Sequence, residues 1–102
     1  MLDFAHELAD ISDEIIKKHF RNLRSDDFRM KARMDPVTVA DTAVEEALVA
    51  HLQKCHPDHT ILAEEFTDTR AEGGPLWIID PIDGTNNFLH GIPNTCSSIA
   101  YL

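Results

Sequence analysis

Cysteine is scarce in this sequence: Cys55 and Cys96 are the only two among 102 residues. They lie far apart and match no metal-ligand spacing, so the reading is two free thiols in a reducing compartment. Basic residues are also few, 9 Lys and Arg against 18 Asp and Glu, for a net charge of -9. That excess argues against nucleic acid or an anionic membrane as partner, since both demand Lys and Arg. It leaves room for a phosphorylated substrate if a cation mediates the contact. No apolar run is long enough to span a bilayer. The start, MLDFAHELADISDE, is acidic and lacks the basic residues and apolar stretch of a signal peptide. A cytoplasmic protein is expected. There is no repeat, low-complexity tract or internal linker. What remains is ordinary globular composition, 43% hydrophobic and 26% charged, in a length that suits one small domain.

Helical spacing dominates the first half. Ala5, Leu8, Ala9, Ser12, Ile15, Ile16, His19, Phe20 and Leu23 share one face, predicting a helix over 3–24. Ser25 to Pro36 breaks the pattern and reads as a loop or irregular extended stretch. A second helix begins near Thr38, with Asp41 three residues on as in a capping box, and stops before Pro57. Its apolar stripe is Ala40, Ala43, Val44, Ala47, Leu48, His51, Leu52 and Cys55. Short strands follow: Thr60 to Glu65, LWII from Leu76, and Thr95 to Leu102, with a loop over Thr67 to Pro75 and a helical turn near NNFLHG. Two helices and then short strands predict a layered α/β fold. The sequence ends in SSIAYL, a strand in progress, so a fragment of a longer protein is expected.

Two of these strands end in acids, at Glu64-Glu65 and at Asp80. In layered α/β proteins ligands gather at strand ends, where loops converge on a rigid sheet. Clustered carboxylates repel unless protons or cations separate them. All-oxygen ligands suit Mg²⁺ or Ca²⁺ rather than Zn²⁺. Two such ions can activate a water and hold a phosphate. The stretch DPIDGT adds what such a site needs. Pro81 stiffens the link between Asp80 and Asp83. Gly84 permits a tight turn. The N–H groups of Gly84 and Thr85 can receive a phosphate, and the Thr85 hydroxyl can orient a water.

Structural readings stand beside each of these. Asp-Gly is also a turn signal, and composition weighs turn and metal site about evenly. Glu64-Glu65 taken alone is more often a solvated strand end. A place in the first turn of a helix accounts for Asp41 completely. HPDH, His56 to His59, lacks a second ligand pair and reads as a solvated loop, and a lone loop histidine such as His90 seldom touches substrate. Two motif readings fail on spacing. Ile79 and Pro81 occupy positions where a calcium-binding EF-hand loop requires acids before its glycine. Haloacid dehalogenase-type phosphatases use Asp-x-Asp after an apolar strand, close to the N-terminus, whereas here two residues separate the acids and the motif comes late.

WIIDPIDGTNNF resembles the signature of the inositol monophosphatase superfamily, a strand followed by Asp-Pro-(Ile/Leu)-Asp-Gly-Thr and then Asn-Phe. PVTVAD, Pro36 to Asp41, resembles the family's upstream Val-Thr-x-x-Asp element. ILAEEF, Ile61 to Phe66, resembles its strand ending in paired glutamates, and HGIP, His90 to Pro93, its downstream segment. The likeness covers nearly the whole chain, with its elements in order. It implies the N-terminal portion, residues 1–102, of one phosphatase domain with a layered α-β-α-β-α sandwich. It implies Mg²⁺-dependent hydrolysis of a small phosphate monoester by an activated water, without a covalent phosphoenzyme and commonly inhibited by lithium. Carried over by motif, Glu64, Asp80 and the Ile82 carbonyl bind a first metal, and Asp80 and Asp83 a second. Glu65 supports the shell or a further weak metal. Asp41 and Thr85 hold and deprotonate the water, and Gly84 and Thr85 help bind the phosphate.

Two departures stand out. Ala63 occupies a position where the family usually has Gly, a small change. The family's further metal-binding Asp and most of its substrate contacts lie in a C-terminal half beyond Leu102. The 102-residue chain alone is therefore expected to be inactive. An inositol monophosphate is the expected substrate. A histidinol-phosphate phosphatase of the same family is the alternative, with nucleotide and fructose bisphosphates behind it. A non-catalytic metal-binding fragment is the reading from another class. A small phosphorylated metabolite is the expected partner, with a homodimer possible for the full-length protein.

Overall fold

The computed structural model describes residues 1–24, 26–32 and 35–102. The first helix, α1, spans Leu2–His19 and buries Phe4, Leu8 and Ser12, spaced one turn apart. It ends earlier than the apolar periodicity predicts. Phe20 turns extended, and Arg21 takes a left-handed φ of 60°. Phe20 and Leu23 then leave the helix line and pack on Phe88 and Ile82. Their helical spacing is a coincidence of two separate packing duties.

The segment expected to be irregular contains a hairpin. β1 (Phe28–Ala32) pairs antiparallel with β2 (Asp35–Thr38). Ser25, Arg33 and Met34, part of that expected loop, lie outside the described residues. No alternating apolar pattern announces these strands, because the ladder is built from backbone hydrogen bonds and Met30 remains half exposed. Val37 is buried, whereas Phe28 is only half-buried.

β2 runs directly into α2 (Val39–Cys55), and Thr38 is the N-cap of a complete capping box with Asp41. The helix stops at Cys55, two residues before Pro57. Its buried stripe is Ala40, Asp41, Val44, Glu45, Leu48 and Leu52. The predicted Ala43 and Ala47 are only half-buried, while two carboxylates take places on the buried face.

The main sheet has the order β3-β4-β5. β3 is Thr60–Ala63, shorter than predicted, so Glu64 and Glu65 stand beyond it. β4 is Leu76–Asp83, longer than the four predicted residues, and runs parallel to β3. β5 (Cys96–Tyr101) is antiparallel to β4. A 3₁₀ turn, Arg70–Glu72, lies in the β3–β4 connection, and the short α3 (Thr85–Leu89) follows β4. Both helices cover one face of the sheet: Phe4, Leu8, Val44, Leu48 and Leu52 pack on Ile61, Ala63, Trp77 and Ile79. Each such large side chain contributes about 1.5–3 kcal/mol of burial. On the opposite face Ile78 is exposed and Leu62 half-buried. The described residues thus form an α-layer on a β-layer, matching the N-terminal part of the expected sandwich.

Candidate metal and phosphate centre

The acids meet at the C-terminal ends of the parallel pair β3 and β4. Ladder pairing of the two strands reaches Ala63↔Ile79, which places Glu64 and Asp80 side by side at its end. The Glu64 N–H donates to the Ile79 carbonyl at 3.0 Å.

Asp80 and Asp83 are three positions apart, a spacing that sends side chains to opposite faces of a regular strand. A register shift corrects this. Asp80 pairs with Ser98 but Asp83 with Cys96, so β4 carries an extra residue. Pro81 and Ile82 are both buried, Ile82 against Phe88 and Ala40, while Asp80 stays half-buried and Asp83 exposed. The Ser97 hydroxyl donates to the Pro81 carbonyl across the irregularity. The four residues from Asp80 to Asp83 therefore complete the strand instead of following its end, and the irregularity brings both carboxylates to one side. Gly84 then adopts φ 87°, ψ 37° as the N-cap of α3. A Cβ there would meet the Asn94 carbonyl oxygen at 2.9 Å, so glycine is required on both counts.

Asp41 is fully buried. Its Oδ2 accepts from the Thr38 N–H at 2.8 Å and from the Thr38 hydroxyl at 2.6 Å. Its Oδ1 accepts from the Thr85 hydroxyl at 2.9 Å. The same hydroxyl lies 2.8 Å from the Ile82 carbonyl oxygen. One proton cannot serve both acceptors fully, so the hydroxyl is poised between Asp41 and Ile82. The structural role of Asp41 as cap partner and its place in the site coexist, one on each carboxylate oxygen.

Asp80 is the most perturbed of the acids. Burial, a hydrogen bond shared with Glu64, and the charges of Glu64, Asp83 and Asp41 push its carboxyl up to about 7. Its Oδ1 is buried with no hydrogen-bond partner. Burial also raises Glu65, against the opposing pull of Lys31. Lys31, on β1, reaches Glu65 Oε1 at 3.3 Å and Oε2 at 3.1 Å, and Glu64 Oε1 at 3.7 Å. An orphaned carboxylate oxygen among like charges is chemistry that a hard divalent cation relieves, so the residues fit such an ion. Among the described residues no three His, Cys, Asp or Glu side chains already close round a single point. The carboxylates face one another as an open set.

Glu64, Asp80 and Asp83 thus lie at one end of the sheet, with Asp41 and Thr85 hydrogen-bonded to each other beside the Ile82 carbonyl and Gly84 shaping the turn. Two other sequence candidates lie elsewhere. His90 is exposed at the C-cap of α3. His56 and His59 stack with ring centroids 4.4 Å apart at the opposite end of β3, and His59 Nδ1 accepts from the Trp77 indole at 3.0 Å. Glu45 and Lys31 were not singled out from the sequence. The signal for Glu45 was a carboxylate inside an apolar stripe; for Lys31 there was none, because its strand could not be read.

The profile of the inositol monophosphatase family matches residues 1–102. The chain belongs to this family. Nus factor SuhB of Pseudomonas aeruginosa is 41% identical over 98% of the chain and 38% of its own length. Inositol monophosphatase 2 of Solanum lycopersicum is 40% identical over 96% of the chain and 38% of its own. Histidinol-phosphatase of Mycobacterium tuberculosis is 42% identical over 99% and 38%. Among solved structures, the IMPase of Thermotoga maritima superposes with a TM-score of 0.89 at 37% identity, over 99% of this chain and 39% of that one. An IMPase/NADP phosphatase complexed with Mg²⁺ and phosphate gives 0.78 at 29% identity, over 97% and 37%. The chain spans less than two-fifths of the length of these inositol monophosphatase-family relatives. Among the described residues no helix is long and apolar enough to cross a membrane.

Proposed function

We propose that this chain carries the metal- and phosphate-binding half of a Mg²⁺-dependent phosphatase acting on a small phosphate monoester of the inositol monophosphate type. The observation that carries the reading is Asp80, a carboxyl pushed up to about 7 beside Glu64, Asp83 and Asp41, with one oxygen unpartnered. Family membership supports the same class of chemistry, and a structural neighbour is described with Mg²⁺ and phosphate.

In this reading Glu64, Asp80 and the Ile82 carbonyl hold one Mg²⁺, and Asp80 and Asp83 a second. Glu65, paired with Lys31, supports the arrangement from the side. Bound there, the cations supply Lewis acidity toward water and phosphate oxygens. The remaining work falls to the protein's own groups. With the Ile82 carbonyl given over to the cation, the Thr85 hydroxyl would be left to donate to Asp41 Oδ1 alone. Thr85 Oγ would accept a proton from the attacking water while its own proton passes to Asp41 Oδ1, leaving hydroxide to attack phosphorus and the Asp41 carboxyl neutral. The N–H groups of Gly84 and Thr85 would donate to the phosphate. No side chain is required to form a bond to phosphorus.

The test is phosphate release by the full-length protein, with inositol-1-phosphate and histidinol phosphate side by side. The histidinol arm is favoured by the relative of that name at 42% identity. Release should require Mg²⁺ and fall in Asp83→Asn by at least the roughly 10–100-fold that losing even a ligand-orienting partner costs, since Asp83 is itself a proposed ligand. Mg²⁺-independent release, or a fully active Asp83→Asn variant, would refute the two-metal reading. The isolated residues 1–102 should show little turnover, because the expected further Asp lies outside them.

A further inference from the structure

Glu45 has no part in the chemistry above, yet it is fully buried and stands one helical turn beyond Asp41 on α2. Its Oε1 accepts from the Glu65 N–H at 2.8 Å. Its Oε2 accepts from the N–H groups of Phe66 and Thr67, both at 2.9 Å. Burying a carboxylate costs several kcal/mol unless its oxygens are satisfied, so three amides converging on it mark a specific requirement. Only a carboxylate fits, because both of its oxygens accept and neither donates.

These three amides belong to the turn that carries the candidate metal ligands. The Ala63 N–H donates to the Thr67 carbonyl at 2.8 Å, so the chain reverses around Glu64, Glu65 and Phe66. β3–β4 pairing ends at Ala63↔Ile79, and past that point one hydrogen bond, Glu64 N–H to the Ile79 carbonyl, ties the turn to β4. Two side chains add to this: Lys31 holds the Glu65 carboxylate, and Glu45 holds the backbone of the turn itself. Asp41 and Glu45, at i and i+4, lie on one face of one rigid helix. Asp41 holds Thr85 beyond β4, and Glu45 holds the turn beyond β3.

We infer that Glu45 is a positioning residue of the metal centre: it fixes the Glu64–Glu65 turn against α2, so that Glu64 meets Asp80 before any cation arrives. This rests on the assignment of Glu64, Asp80 and Asp83 as metal ligands. Mg²⁺ titration by calorimetry of the full-length wild type, Glu45→Gln, Glu45→Asp and Glu64→Gln tests it. Glu45→Gln turns an NH₂ group toward an N–H group and should weaken Mg²⁺ binding about 10–100-fold. Glu45→Asp, charged but shorter, should fall between it and wild type. At saturating Mg²⁺ the turnover of Glu45→Gln should recover, separating metal affinity from chemistry. A folded Glu45→Gln with Mg²⁺ affinity within about twofold of wild type overturns the inference. If Glu64→Gln also keeps wild-type affinity, the ligand assignment falls first and the inference with it. Amide hydrogen exchange in metal-free wild type decides the matter should Glu45→Gln not fold. Protection of Glu65, Phe66 and Thr67 before Mg²⁺ is added supports preorganisation, and protection that develops only with Mg²⁺ overturns it.

Discussion

At the scale of single residues, the site is defined by one unfavourable charge. Asp80 has an ordinary carboxyl value near 3.8 and is held at about 7 by burial and by its acidic neighbours. A folded-state value above the unfolded one means the folded protein holds that proton more tightly. In metal-free protein the resulting stability is fully present below about pH 4 and is lost as pH rises towards about 7. Melting temperature in chelator should therefore fall between about pH 4 and pH 7, and the fall should be smaller in Asp80→Asn. Mg²⁺ at pH 8 should stabilise wild type and leave Asp80→Asn largely unmoved. Equal falls in both proteins would show that the Asp80 proton is not the source. Asp80 was legible in the sequence as a strand-end acid. Its unpartnered oxygen was not, because that depends on burial beside Glu64, which only the pairing of β3 with β4 brings alongside.

Among the elements, α2 has the most functions. Its first turn is closed by Thr38, whose Oγ accepts from the N–H groups of Ala40 and Asp41 at 3.1 and 3.3 Å. Thr38→Ala removes that cap together with one of the bonds that orient Asp41. A loss of about 1–2 kcal/mol is expected, at the upper end for caps because the network is buried. Chemical denaturation measures it, and a loss below about 0.3 kcal/mol would mean that the cap is not stabilising. The capping box could be read from Thr38 and Asp41 in sequence, since it is a local pattern. The β1–β2 hairpin could not. Its strands carry mixed polar residues, and their pairing is a backbone property that side-chain periodicity does not encode.

For the molecule as a whole, the helix layer and the sheet share a single main core, so the candidate metal ligands depend on packing far from them. Leu48 is fully buried in α2, within the cluster that contains Ile61 and Trp77. Leu48→Ala should cost about 2–5 kcal/mol by opening a cavity between the layers. Trp77 is the chain's only tryptophan and fully buried, so fluorescence of the isolated 102-residue chain reports the transition if that chain folds. In the full-length protein, calorimetric melting is the measurement. An unchanged midpoint would mean that the layer collapses without a cavity.

Sequence by itself determined the local features: two helices, the short strands, the capping box, and the ordered acids that resemble one family. Each of these is written in neighbouring residues, through periodicity, turn chemistry or motif spacing. Tertiary structure decided what required distant segments to meet. The extra residue in β4 turns Asp80 and Asp83 to the same side, a result that depends on pairing with Ser98 and Cys96 of β5. Lys31 reaches Glu65 from a strand that periodicity did not reveal. Glu45, which reads in sequence as a charge misplaced in an apolar stripe, is explained only by three amides some twenty residues away. A buried polar group is defined by its partner, and here the partner is supplied by the fold.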